Sequence, residues 1–287
     1  METRLWKLAR RSLPVGGRTL VMGVLNVTPD SFSDGGLFYD FGRAVERAGE
    51  MADEGADIID VGGESTRPGG APVSAEDELR RVAPVVAAVA AKAGVPVSVD
   101  TTRAQVARAA LDSGAEIVND ISGLRFEPEL ATEAARAGAG LVLMHSRGER
   151  ETLHALEPVE DIMDEVVASL RRSVAEATGR GVGRESIVID PGVGFGKSHW
   201  QNLELIARLD DFAAAFPEFP VLVGTSRKSF IGRITGGAPA GGRLHGTMAT
   251  VTAAILRGAH VVRVHDVRAA VETARVAEEI RAVNRKS

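Results

Sequence analysis

Asp100, Asn119 and Asp190 each follow a short β-rich run, and side chains that end parallel strands converge on one mouth. Carboxylates gathered there need donors, because a buried charge without a partner is costly. A flat heterocycle with a 2-amino-4-oxopyrimidine edge meets that need, its ring N–H and amino group pairing with one carboxylate as a fork. Lys228 would then meet the ring carbonyl. Arg263 and His265 stand two residues apart, so they share one side of an extended chain. Arginine binds phosphate bidentately and stacks over flat rings, and histidine can donate to a phosphate oxygen. Plainer alternatives stay open: an Arg–Asp pair inside the molecule for Arg263, a solvated or aspartate-paired lysine for Lys228.

The other run endings are equally polar. They include Asn26-Val27-Thr28-Pro29-Asp30, Gly62 to Gly69, His145-Ser146-Arg147, Asp190 to Lys197, and Gly224-Thr225-Ser226-Arg227-Lys228-Ser229. A helix cap or a turn accounts for any one of them, but not readily for all eight together. The segment from Gly224 leads into apolar Phe230-Ile231, so its N–H groups can open a short helix toward a carboxylate or phosphate. Asp190 to Lys197 is rich in glycine but lacks Walker spacing, which argues against ATP hydrolysis. His145, His154, His199, His245 and His260 show no zinc-ligand spacing, and no nucleophile elbow is present. Electrostatic chemistry is therefore expected, without a covalent protein nucleophile.

Eight candidate strands must position these groups: Leu20 to Leu25, Asp57 to Val61, Val95 to Val99, Glu116 to Val118, Gly140 to Met144, Ile187 to Ile189, Val221 to Val223 and His260 to Val264. Between them lie stretches of helical periodicity such as Ser74 to Lys92, Val159 to Thr178 and Val267 to Val283. Gly55, Gly94, Gly114, Gly138 and Gly258 stand shortly before strands, where a left-handed helix end favours glycine. Alternating strands and helices imply an α/β fold with a parallel sheet. Eight units suit a closed (β/α)₈ TIM barrel, with an open doubly wound sheet as the alternative. Nothing divides the 287 residues by composition, so a single domain is expected, with residues 1–19 as an extension closing the barrel bottom and 20–287 as the barrel.

Hydrophobic residues make up 44% and charged residues 25% of the chain, an ordinary globular balance. A formal charge of −5 argues against nucleic acid as a partner. No run of 18 apolar residues suggests a membrane span, no signal-like stretch opens the chain, and the absence of cysteine excludes disulfides and is compatible with the cytoplasm.

Read together, the segments Met22 to Gly36, Asp60 to Gly69, Asp190 to Lys197, Ser226-Arg227-Lys228-Ser229 and Arg263-Val264-His265-Asp266-Val267 resemble the dihydropteroate synthase family of pterin-binding enzymes. The likeness runs from about Leu20 to the C-terminal helix. It implies a (β/α)₈ barrel that condenses 6-hydroxymethyl-7,8-dihydropterin pyrophosphate with p-aminobenzoate, using Mg²⁺, in a cytoplasmic homodimer. By the same likeness Asp100, Asn119, Asp190 and Lys228 hold the pterin. Arg263 stacks on it and, with His265 and Asn26, handles the pyrophosphate or its Mg²⁺, Asn26 being the metal ligand. Phe32, Thr66, Pro68, Phe195 and Ser226 would surround p-aminobenzoate, and Asp100, Lys228, Arg263 and His265 would carry the catalysis. Ser146 departs from the family pattern, which often has methionine there. A pterin-dependent methyltransferase on the same barrel is the nearest alternative, disfavoured by Ser226-Arg227-Lys228 and by the first loop.

Overall fold

The chain opens on an antiparallel hairpin, β1 (Arg4–Lys7) and β2 (Ser12–Val15). Eight strands follow: β3 (Leu20–Asn26), β4 (Ile58–Gly62), β5 (Val97–Asp100), β6 (Ile117–Asp120), β7 (Gly140–Met144), β8 (Ile187–Asp190), β9 (Leu222–Val223) and β10 (Val261–Val264). The computed structural model describes residues 3–27, 36–64, 73–148 and 157–284. All eight strands pair in parallel, in the order β8-β7-β6-β5-β4-β3-β10-β9. A parallel bridge between Ile189 and Val221 joins the two ends, supported by the Ile189 N–H donating to the Pro220 carbonyl at 3.0 Å. The sheet is thus a closed barrel, and the open doubly wound alternative falls away.

Helices α1 (Gly36–Asp53), α2 (Ala75–Lys92), α3 (Ala104–Asp112), α4 (Glu129–Ala137) and α5 (Ile162–Gly179) each follow one of β3 to β7. After β8 come α6 (His199–Ala207) and α7 (Leu209–Ala215), after β9 come α8 (Ser229–Ile234) and α9 (Leu244–Leu256), and α10 (Val267–Asn284) follows β10. Local chemistry marks their ends. The Ser74 side chain caps α2 by accepting from the Asp77 N–H, with Glu76, Asp77 and Glu78 in the first turn, where acidic groups favour the helix dipole. Ser198 and Gln201 form a reciprocal capping box on α6. The five glycines expected at helix ends all have positive φ, and Gly138, at φ 62° and ψ 27°, is a left-handed cap that a side chain would oppose. No helix among the described residues is long and apolar enough to cross a membrane.

Strand alternation sorts the side chains. Val21, Ile59, Val99, Val118, Leu141, Ile189 and Val262 belong to the large core shared with the helices. Leu20, Met22, Ile58, Ile117, Val142, Val188, Leu222 and Val261 form a second cluster with Trp6, Leu8 and Val15 of the hairpin segment, so the hairpin covers the N-terminal ends of the strands. Trp6 is fully buried and its Nε1 donates to the Ser186 carbonyl at 2.9 Å. Stepping two residues onward from the inner cluster reaches Asp60, Asn119, Asp190, Arg263 and then His265. The period that buries the barrel's lower layer therefore carries the polar groups into its mouth.

Replacing Trp6 by alanine should lower stability by about 3–5 kcal/mol, the usual cost of truncating a buried aromatic. Urea unfolding measures it; a loss below about 1 kcal/mol would mean the hairpin contributes little to the barrel.

Candidate active site

The mouth is organised by charge pairing across strands. Arg263, from β10, donates through Nε to Asp60 Oδ2 and through a terminal nitrogen to Asp100 Oδ2, both at 2.6 Å. Asp60 is fully buried, whereas Arg263 and Asp100 keep 21% and 16% of their side-chain surface. Asp60 is thus the inner anchor and Asp100 the accessible carboxylate. Asn119 is drawn into the same group, its Nδ2 donating to Asp60 Oδ2 at 3.0 Å. The Arg–Asp pairing raised as an alternative for Arg263 does occur, and it leaves part of the Arg263 side chain exposed.

Asp190 ends β8, and the only hydrogen bond to its carboxylate among the described residues comes from the Gly192 N–H, at 2.7 Å. The loop after it is tightly held. A side chain at Gly192, whose φ is +69°, would place a Cβ 1.8 Å from the His145 carbonyl oxygen. At Gly194, with φ +89°, a Cβ would lie 2.6 Å from Lys228 Cδ. Lys197 fastens the loop by donating to the His145, Gly192 and Phe195 carbonyls at 3.2, 2.8 and 3.0 Å. The result is a seat for Lys228, whose Nζ donates to the Val193 carbonyl at 2.7 Å and lies 3.8 Å from the centre of the Phe195 ring. Phe195 packs with Ile121 and Met144, an apolar patch beside the polar groups.

These groups feel one another. Burial raises the Asp100 pKa to about 7 against the opposing pull of Arg263. Burial also raises Asp190 to about 6, with Gly192 and Lys228 opposing it, and lowers Lys228 to about 7, with Asp190 opposing. Burial alone would lower the Arg263 pKa, but the charges of Asp60 and Asp100 raise it overall and keep it a cation. His145, after β7, is different: burial, then Lys197 and nearby arginines, lower it to about 2, so it is a neutral packing residue. Ser146 accepts from Arg125 at 3.0 Å, which gives the one departure from the family pattern a local structural use.

Next to Asp190 around the barrel, the β9 and β10 ends are cross-linked. The His265 N–H donates to Ser226 Oγ at 3.2 Å, and that oxygen lies 3.0 Å from His265 Nδ1. A hydroxyl already accepting from a backbone N–H is best used by donating to Nδ1, an arrangement that leaves Nε2–H as the ring's donor. Arg227, at φ 59°, pairs with Asp266 through both carboxylate oxygens, at 3.1 and 2.6 Å. Ser226, expected against p-aminobenzoate, is thus in direct contact with His265. Asn26 stands in register with Gly62, which is in register with Asp100. A Cβ at Gly62 would be 3.8 Å from Asn26 Oδ1 and 3.7 Å from Asp100 Oδ2, so two hard oxygens flank a position without a side chain. Phe32, Thr66 and Pro68 lie outside the described residues.

Asp60 and Lys197 were not among the residues singled out individually in the sequence. The signal for Asp60 was available: an acid within Ile58–Gly62, two positions from a residue that must face inward. Lys197 gave no such signal, because its partners are carbonyls brought together only by the loop's glycines.

The pattern of the pterin binding enzyme family matches residues 22–265. The chain belongs to the pterin-binding enzyme family. Within this family a dihydropteroate synthase of Synechocystis sp. is 46% identical over 265 residues, covering 92% of this chain and 91% of the relative. A solved dihydropteroate synthase of Burkholderia cenocepacia, complexed with 7,8-dihydropteroate, superimposes with a TM-score of 0.89 at 39% identity over 100% of both chains. That of Xanthomonas albilineans, with 4-aminobenzoic acid, gives 0.89 at 40% identity over 97% of this chain and 99% of its own.

Because Lys228 lowers the Asp190 pKa against the effect of burial, Lys228→Met should move the Asp190 midpoint upward from about 6. Carboxyl ¹³C NMR titration checks this. A midpoint in the ordinary range near 4, unmoved by the substitution, would separate the two residues.

Proposed function

We propose that this chain is a dihydropteroate synthase, joining 6-hydroxymethyl-7,8-dihydropterin pyrophosphate to p-aminobenzoate and releasing pyrophosphate, as a step of folate synthesis. One observation carries the reading: a barrel mouth with acceptors on one side, at Asp100, Asn119 and Asp190, and the cations Lys228 and Arg263 among them. A 2-amino-4-oxopyrimidine edge donates to such acceptors, and its carbonyl suits Lys228. The relatives complexed with 7,8-dihydropteroate and 4-aminobenzoic acid support both substrates.

The proposed chemistry is dissociative. The bond from the exocyclic methylene carbon to the pyrophosphate oxygen breaks with its electron pair, leaving a cation conjugated with the pterin ring. The arylamine nitrogen attacks that carbon and then loses a proton to solvent. Asp100 stabilises charge spread over the reduced ring, while Arg263 and His265 stabilise the departing anion, and fixed charges of this kind need no reorganisation during the reaction. Phe195 and the N–H groups at the start of α8 offer an apolar wall and donors for the arylamine and its carboxylate, with Ser226, Phe32, Thr66 and Pro68 assigned to the same subsite by family likeness.

The residues present suit Mg²⁺. No set of three His, Cys, Asp or Glu side chains able to hold a metal occurs among the described residues, and the Asn26 and Asp100 oxygens flank the bare Gly62. A hard cation that takes most of its ligands from phosphate and water fits that arrangement, with Asn26 as the protein ligand. When bound, it would supply positive charge to the leaving pyrophosphate.

The decisive assay supplies both substrates and Mg²⁺ and detects pyrophosphate and dihydropteroate separately; both should form only when both substrates are present. Methyl transfer to a cobalt acceptor without condensation would move the chain to the methyltransferase branch. Lys228→Ala should lower kcat/KM for the pterin substrate by roughly 10- to 100-fold, the worth of a lost charge-assisted hydrogen bond, and unchanged kinetics would take Lys228 out of the site.

We also propose a homodimer. Val276, Ile280 and Val283 are 63%, 48% and 64% exposed and form one row on α10, near Leu256, which is 40% exposed at the end of the adjacent α9. An apolar row of this kind suits a second copy. Sedimentation should show a dimer that Ile280→Glu converts to monomer; a wild-type monomer at micromolar concentration would contradict the assignment.

A further inference from the structure

We propose that Asp60, which stands behind the pocket wall, sets the hydrogen-bond polarity of the pterin site by holding Asn119 with its nitrogen inward and its carbonyl oxygen toward the mouth. The proposal rests on the assignment of a pterin to this mouth.

Asp60 is fully buried on β4. Its Oδ2 accepts from Arg263 Nε at 2.6 Å and from Asn119 Nδ2 at 3.0 Å, while its Oδ1 is buried with no hydrogen-bond partner. A carboxylate oxygen that takes a guanidinium hydrogen bond can only accept, so the end of the Asn119 amide facing it must be the NH₂. The other end, Oδ1, has no hydrogen bond among the described residues and is left for a ligand. Buried carboxylates with an unused oxygen are uncommon, because the group's desolvation is only partly offset. Here the cost is matched by what the carboxylate imposes on its neighbours.

The imposed polarity has a chemical consequence. Asp190 and Asp100 already present carboxylate oxygens, and Asn119 adds a third acceptor. A ring bearing a 2-amino group donates to this wall, whereas a ring with a 2-oxo group brings an acceptor against acceptors. If Asn119 turned over, its NH₂ would welcome the 2-oxo ring, and the site would lose much of its discrimination. Asp60 touches neither ring, so it is a positioning residue whose effect is on specificity.

The test measures calorimetric affinities of the full-length protein for 6-hydroxymethylpterin and for its 2-oxo counterpart, 6-hydroxymethyllumazine. The unmodified protein should prefer the 2-amino ring; no preference would remove the pterin reading, and this proposal with it. In Asp60→Ala the preference should fall by about tenfold or more, since a mismatched buried polar pair is no longer enforced. Asn119→Ala should lose the preference similarly, and the double variant should lose no more than either single one. Equal weakening of both ligands in Asp60→Ala, with the ratio intact, would overturn the proposal and leave Asp60 a purely structural residue. Neutron diffraction of the unmodified protein with 6-hydroxymethylpterin makes the outcome independent of variant folding: a deuterated Asn119 Nδ2 against Asp60 with Oδ1 facing the ring supports the proposal, and Oδ1 against Asp60 with the deuterated nitrogen facing the ring refutes it.

Discussion

A single guanidinium shared between two carboxylates governs the mouth of this barrel. Arg263 reaches from β10 to Asp60 on β4 and Asp100 on β5, tying together strands that are not all neighbours in the sheet. None of the three could be kept there alone, since an unpaired charge in such surroundings would neutralise or draw in water. Paired, they fix the plane of the arginine, the open face of Asp100 and, through Asp60, the orientation of Asn119. The inner positions of the strands below are apolar and covered by the hairpin, so the polar layer begins where the hydrophobic one ends. Strand alternation alone makes that transition possible.

The other half of the mouth depends on backbone. Between Asp190 and Lys197 the chain turns so closely past His145 and Lys228 that side chains at Gly192 and Gly194 would collide with them. Lys197 holds the turn by its three hydrogen bonds to carbonyls. Lys228 then finds a carbonyl and an aromatic face waiting. Burial lowers its pKa to about 7, and Asp190 opposes that shift. A cation fixed in this way needs little reorganisation to meet a ring carbonyl.

Much of this was legible in the sequence. The eight strands were visible as short β-rich runs with polar endings, and glycine marked helix ends at Gly55, Gly94, Gly114, Gly138 and Gly258. Asp100, Asn119, Asp190, Arg263 and His265 could be placed in one mouth from strand position alone. Asp60 was harder: it lies within an apolar run, and only the period of two, counted from Ile58, turns it inward. Ser226 reads as a ligand donor in the sequence, and its contact with His265 depends on how the ends of β9 and β10 meet. Lys197 depends on carbonyls, which every residue has, so no residue type announces it.

The most direct test of this account is a crystal structure with the pterin pyrophosphate bound. The ring should lie with its 2-amino side against Asp190 and Asn119, its pyrophosphate toward His265 and Asn26, and the Asp60–Arg263–Asp100 contacts intact. A ring seated elsewhere, or an Arg263 released from both aspartates, would contradict it.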